Sequence, residues 1–127
     1  MEQTVCESAA QWTRRAIELR EAGQLEEALT ASRQATTLDP SSFKAWWQMT
    51  LLVWAKEGPD AALRHLEKTV ELAPKFSYAW FQLGRIHKMA GRLEQAIACW
   101  ERAVQVDPQR IDALNALVQA YNEQEGA

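Results

Sequence analysis

The chain has 127 residues, 47% of them hydrophobic and 24% charged, which suits one soluble domain with a modest core. Its formal charge of −3 argues against a general binder of nucleic acid or anionic membrane, which would be clearly basic. No apolar run approaches the roughly 18 residues needed to cross a bilayer, and residues 1–11 lack the basic-then-apolar order of a secretory signal. Only two cysteines occur, Cys6 and Cys99, without a metal or redox spacing, so a reduced, cytoplasmic setting is the default.

Residues 1–8 read as an N-terminal segment. Apolar residues then recur at helical spacing, and seven helices are expected, at about 9–22, 25–38, 43–56, 60–73, 77–90, 93–106 and 111–123. The first carries Trp12 and ends before Gly23, where the chain must turn. The second carries Ala28 and Ala35 and is closed by Pro40, since proline cannot continue a helix. The third carries Trp46 and ends at Gly58. Pro59 follows and suits the first turn of the fourth helix, where its missing N–H costs little. Ala62 lies in the fourth helix, and Pro74 closes it. The fifth holds Trp80, Leu83, Gly84 and His87. Beyond Gly91 the sixth holds Leu93, Ala96, Ile97, Trp100 and Val104, and Pro108 closes it. The seventh shows Leu114, Leu117, Val118 and Tyr121 on one face.

Three residue types share one period. Pro40, Pro74 and Pro108 recur every 34 residues, as do Trp12, Trp46 and Trp80, and Ala28, Ala62 and Ala96. The clearest copy reads Trp80-x2-Leu83-Gly84-x2-His87, then Gly91, Ala96-x3-Trp100, Ala103 and Pro108. It resembles the tetratricopeptide repeat, with His87 in the usual Tyr place and Trp100 in the usual Phe place. The first copy departs at Arg15 and Ala16, where Leu-Gly is expected. The second has Met49-Thr50 there, and Thr69 for the second small residue. The resemblance covers almost the whole chain, as repeats at about 9–42, 43–76 and 77–110 with a capping helix at 111–123. It implies an all-α, right-handed superhelical solenoid of antiparallel helix hairpins. First helices would line a concave face, and Trp12, Trp46, Trp80 and Trp100 would occupy packing positions. A single hairpin cannot bury its apolar face, so stacking builds the core.

Catalytic chemistry finds no support. His65 and His87 fall on different helices without a metal-ligand pattern, and no Gly-rich phosphate loop, HExxH or GxSxG occurs. His87 substitutes for a packing aromatic, Cys99 is expected to be a half-buried filler, and Cys6 precedes the first repeat. Neither an enzyme nor a cofactor or metal site is expected.

Function is therefore sought in residues that the repeat does not require. Family ligands lie along the groove of first helices, and projecting this sequence there selects Lys44, Trp47, Gln48, Leu51, Trp54, Tyr78, Phe81, Gln82, Arg85 and Lys88, flanked by Arg14, Ile17, Asn115 and Gln119. Trp47, Leu51, Trp54, Tyr78 and Phe81 would form one aromatic-apolar surface, a composition common at interaction sites. The alternative is that Trp54 tucks between hairpins and Phe81 packs against its neighbour. The first helices of the three full repeats carry Arg14, Arg15, Arg20, Lys44, Lys56, Arg85 and Lys88 against only Glu18 and Glu21. The partner implied is a protein or peptide with apolar or aromatic anchors and acidic residues, rather than a nucleic acid or membrane.

The carboxylate clamp by which related domains hold heat-shock chaperone C-termini is Lys/Asn/Asn/Lys/Arg. The matching positions here are Thr13, Ile17, Gln48, Tyr78 and Gln82, or one repeat along Trp47, Leu51, Gln82, Asp112 and Ala116. Neither register supplies the clamp, which disfavours that ligand. The seventh helix has enough polarity to cap an array. Its end at the turn equally suits one module of a longer protein, or a structural module that self-associates. The leading expectation is a non-catalytic interaction module with a basic-aromatic groove.

Overall fold

The structure is a computed structural model that describes residues 8–126; Cys6 and the rest of the N-terminal segment before Ser8 lie outside the described residues. Seven α-helices and no strand occur among them. They are α1 (Ala9–Glu21), α2 (Leu25–Leu38), α3 (Phe43–Glu57), α4 (Pro59–Leu72), α5 (Ser77–Met89), α6 (Leu93–Val106) and α7 (Ile111–Gly126). Every expected helix is present, with ends shifted by at most one residue except at α7. That helix runs on through Glu123, Gln124 and Glu125, residues that favour helix where nothing stops it.

Local chemistry sets the boundaries. Ser8 caps α1 in a reciprocal box: its hydroxyl accepts from the Gln11 N–H at 3.2 Å, and the Gln11 side chain accepts from the Ser8 N–H at 2.7 Å. Ser42 caps α3 by accepting from the Ala45 N–H at 3.3 Å. After α2 the Asp39 carboxylate accepts from the Ser41 N–H and hydroxyl, at 3.1 and 2.7 Å, and folds the chain over Pro40. Asp107 does the same for the Gln109 N–H after α6. The second repeat turns more tightly than the others. Gly58 alone separates α3 from α4, and its φ of +97° is one that residues with a Cβ rarely adopt. Pro59 then starts α4 directly, which accounts for α3 ending later and α4 starting earlier than the sequence suggested.

The helices form two compact units, one ending at Leu72 and one beginning at Ala73. In the first, the hairpins α1–α2 and α3–α4 stack so that α3 packs on α1, α2 and α4. Its core joins Ala28, Leu29, Met49, Leu52, Val53 and Ala62, with Leu19, Leu25 and Trp54 packed against them. In the second, α6 lies between α5 and α7, and its core joins Ala96, Ile97, Trp100, Leu117 and Ala120, with Phe81 and Leu93 alongside. Gly84 of α5 faces the Trp100 indole so closely that a Cβ there would overlap the ring. The indole N–H in turn donates to the Phe81 carbonyl at 3.1 Å.

The repeat tryptophans do not share one environment. Trp100 is 2% exposed, whereas Trp12, Trp46 and Trp80 are half-buried. The indole N–H groups of Trp46 and Trp80 reach back to the carbonyls of Pro40 and Pro74, each at 2.8 Å. Those tryptophans tie the start of a first helix to the preceding turn, which leaves part of each ring outside the core. Cys99, expected as half-buried, is buried on α6.

Candidate functional site

The sequence-selected residues fall in both units, and each unit carries its own face. On α3, Lys44 is exposed while Trp47 and Leu51 are half-buried, the last two one helical turn apart and on the same side. Trp54, a turn further on, is half-buried and packs against the core of the first unit. Gln48 is buried, and its side-chain carbonyl accepts from Arg20 Nε at 3.1 Å, a tie between α3 and α1. On α1, Arg14 is exposed and Ile17 half-buried. Lys56 pairs with Glu26 of α2, and the Arg15 guanidinium lies 4.9 Å from the centre of the Trp12 ring.

In the second unit, Tyr78, Phe81, Arg85 and Lys88 follow one another at spacings of three, four and three along one face of α5. Tyr78 is 36% exposed, and its ring centre lies 6.2 Å from that of Phe81 at a 34° tilt. Phe81 is half-buried against the core. Arg85 is exposed and donates to the side-chain carbonyl of buried Gln82 at 2.8 Å. Lys88 pairs with Glu123 of α7 at 2.9 Å. Both partners are substantially exposed, so this pair contributes well under about 1 kcal/mol and can be exchanged for another carboxylate. Asn115 and Gln119 of α7 are exposed. No acid lies within α5, whose ionisable residues are Tyr78, Arg85, His87 and Lys88.

Sequence reasoning did not single out Arg110. Its guanidinium stacks 5.2 Å from the centre of the Tyr78 ring, and it donates to the Ser77 hydroxyl at 2.9 Å and to Asp112 at 3.1 Å. It sits in the connector before α7, outside the helical pattern; the one available signal was a lone base between Asp107 and Asp112. His65 was also passed over as a site. With Trp46, Arg64, Glu67, Lys68 and Glu71 it lines a cavity of about 450 Å³, and its ring centre lies 6.0 Å from that of Trp46. Burial lowers the His65 pKa; an Ala61 backbone hydrogen bond opposes this, Arg64 and Arg33 add to it, and Glu57 opposes it. The cavity rim balances two acids against Arg64 and Lys68, so it presents no field of one sign to select a charged ligand.

Among the described residues, no group of three metal-ligating side chains is gathered, and no helix is long and apolar enough to cross a membrane. The arrangement offers contact surface, aromatic rings and cations.

Comparison with known proteins agrees. Residues 11–42 and 77–110, together more than half of the chain, match the tetratricopeptide-repeat family. The chain is 26% identical over 110 residues to Superkiller complex protein 3 of Homo sapiens, a match covering 87% of this chain but 7% of that protein. Its fold is similar to the crystal structure of MamA, with a TM-score of 0.82 and 19% identity, covering 92% of this chain and 68% of that one. It is equally similar, at a TM-score of 0.82 and 17% identity, to the first TPR of Spaghetti (RPAP3) bound to an HSP90 peptide, covering 97% and 99% of the two chains. With the 34-residue period and the stacked hairpins, these matches make the chain a member of the tetratricopeptide-repeat family, whose repeats serve protein–protein interaction.

Proposed function

We propose that this chain binds partner polypeptides on the exposed faces of its first helices, using aromatic-apolar anchors and cations. The observation that carries the reading is the α5 row, where Tyr78, Phe81, Arg85 and Lys88 lie on one face of a helix without an acid. The α3 row of Lys44, Trp47, Leu51 and Trp54 repeats this chemistry in the first unit. Aromatic side chains supply most of the binding energy at such surfaces, and the bases favour a partner with Asp or Glu beside its apolar anchors. Gln48 and Gln82 serve this function from beneath, as buried acceptors that position Arg20 and Arg85.

The chaperone-type C-terminus remains disfavoured in this reading. At the clamp positions Thr13, Gln48 and Gln82 are buried, and none of the three brings a cation to a terminal carboxylate. The likeness to a chain that holds an HSP90 peptide is a likeness of fold.

The test is selection of a random peptide library displayed on phage against the immobilised chain. Enriched peptides should combine an aromatic or aliphatic anchor with acidic residues, and Trp47→Ala or Phe81→Ala should weaken the best of them at least about tenfold. Enrichment of basic peptides, or of peptides indifferent to both substitutions, would overturn the proposal.

A further inference from the structure

The face of α7 that carries Ile111, Leu114, Val118 and Tyr121 is apolar and open. These four are 68%, 37%, 59% and 39% exposed, a concentration of large exposed apolar side chains on one helix. In the repeat frame Leu114, Val118 and Tyr121 lie 34 residues after Trp80, Gly84 and His87. On α5 that face is covered by the second helix of its own hairpin: Trp100 lies over Gly84, and Arg92 donates to His87 Nδ1 at 3.0 Å. The face of α7 is thus built to receive a helix.

Its spacing of three, four and three is the a/d pattern of a helix–helix seam, about 15 Å long. The pattern is also self-complementary. Ile111 and Tyr121 share their midpoint, position 116, with Leu114 and Val118. Two copies of α7 laid antiparallel about a two-fold axis at that position would set Ile111 against the other copy's Tyr121, and Leu114 against its Val118. The charges agree with that alignment. Arg110 stands at the start of α7 and Glu123 and Glu125 at its end, so antiparallel pairing brings each copy's Arg110 and positive helix N-terminus beside the other's carboxylates. Asn115, Asn122 and Gln124 flank the seam without charge, so no like charges are forced together along it. Tyr121 is held in place by the hydrogen bond its hydroxyl donates to Glu101 at 2.6 Å.

We propose that α7 is a self-association surface through which two copies of this chain form a reversible antiparallel two-fold dimer. Four partly exposed side chains offer much less than the roughly 800 Å² per partner of a standard stable interface. The dimer is therefore weak and concentration-dependent, and it leaves the α3 and α5 rows to other partners.

Sedimentation and light scattering of the full chain from about 1 µM to about 500 µM test this, a range that brackets weak association. The mass should rise from monomer to dimer across it. Val118→Glu should raise the dissociation constant at least about tenfold, because it puts a charge into the seam of each copy. Ile111→Glu, at the most exposed seam position, should do the same, and circular dichroism melts should show both variants folded. Trp47→Ala should leave the dimer unchanged. A wild type that stays monomeric to the top of the range overturns the proposal. So does a dimer that survives both seam substitutions, or one that Trp47→Ala abolishes, which would move the contact to the α3 face.

Discussion

At the residue scale two glycines are required for different reasons. Gly58 has open space around it but a φ of +97°, so a side chain is opposed there by backbone strain alone. Gly84 sits inside a helix with ordinary dihedrals and is required because the Trp100 indole occupies the place of its Cβ. Gly58→Ala should cost about 1–2 kcal/mol by forcing a left-handed conformation. Gly84→Ala should cost about 1–3 kcal/mol by overpacking, offset in part by the better helix propensity of alanine. Pairing Gly84→Ala with Trp100→Leu should recover part of the loss in urea melts, whereas Gly58→Ala should gain nothing from that second change. His65 supplies a pH-dependent term. Its folded-state pKa lies below the ordinary value of about 6.5 because burial penalises the imidazolium. The unfolded chain therefore binds the proton more readily. Stability should fall as pH drops through about 6.5 and on towards the lower folded value. His65→Gln should flatten melting temperature against pH between about 7 and 5.5; an unchanged slope would place the titrating group elsewhere.

At the scale of single helices, α3 and α6 show how burial divides stability from recognition. Trp100 of α6 is 2% exposed and joins Ala96, Ile97, Leu117 and Ala120 in one core, so truncating it empties a space that three helices line. Trp47 of α3 is half-buried and lies outside the core of the first unit. Trp100→Ala should lower stability by about 3–5 kcal/mol, and Trp47→Ala by well under half as much, as read from urea midpoints. Equal losses would show that Trp47 is a packing residue and would remove the main anchor from the α3 row. Trp80 should fall between them. Its indole N–H anchors the helix start at the Pro74 carbonyl, while Arg102 lies 5.5 Å from the centre of its ring.

For the whole molecule, a net charge of −3 coexists with first-helix faces on which bases outnumber acids. Such an arrangement speeds encounter with an acidic peptide more than it tightens the final complex. With a peptide selected on the chain, Arg85→Glu should slow association several-fold and leave dissociation nearly unchanged. The difference should shrink as salt is raised and the Debye length falls towards about 3 Å at 1 M. A defect confined to dissociation would mean that Arg85 makes a desolvated contact instead.

The sequence by itself determined the helices, their order and the hairpin frame. Those follow from local chemistry repeated every 34 residues: an apolar helical period, a glycine at the turn, a proline at the close. Such signals act over a few residues and need no tertiary partner to be read. The tertiary structure decided which side chains reach water, because exposure depends on what another helix lays over a face. Gln48 and Gln82 stand at groove spacing yet are buried beneath Arg20 and Arg85. Trp46 and Trp80 stand at core spacing yet keep part of each ring outside, because their N–H groups are drawn to the carbonyls of the preceding turn. Leu114, Val118 and Tyr121 of α7 occupy the positions that α5 buries beneath α6, yet they stay exposed because only the opposite side of α7 is packed, through Leu117 and Ala120. Period names the face a residue belongs to, and packing alone decides whether that face meets a neighbour or water.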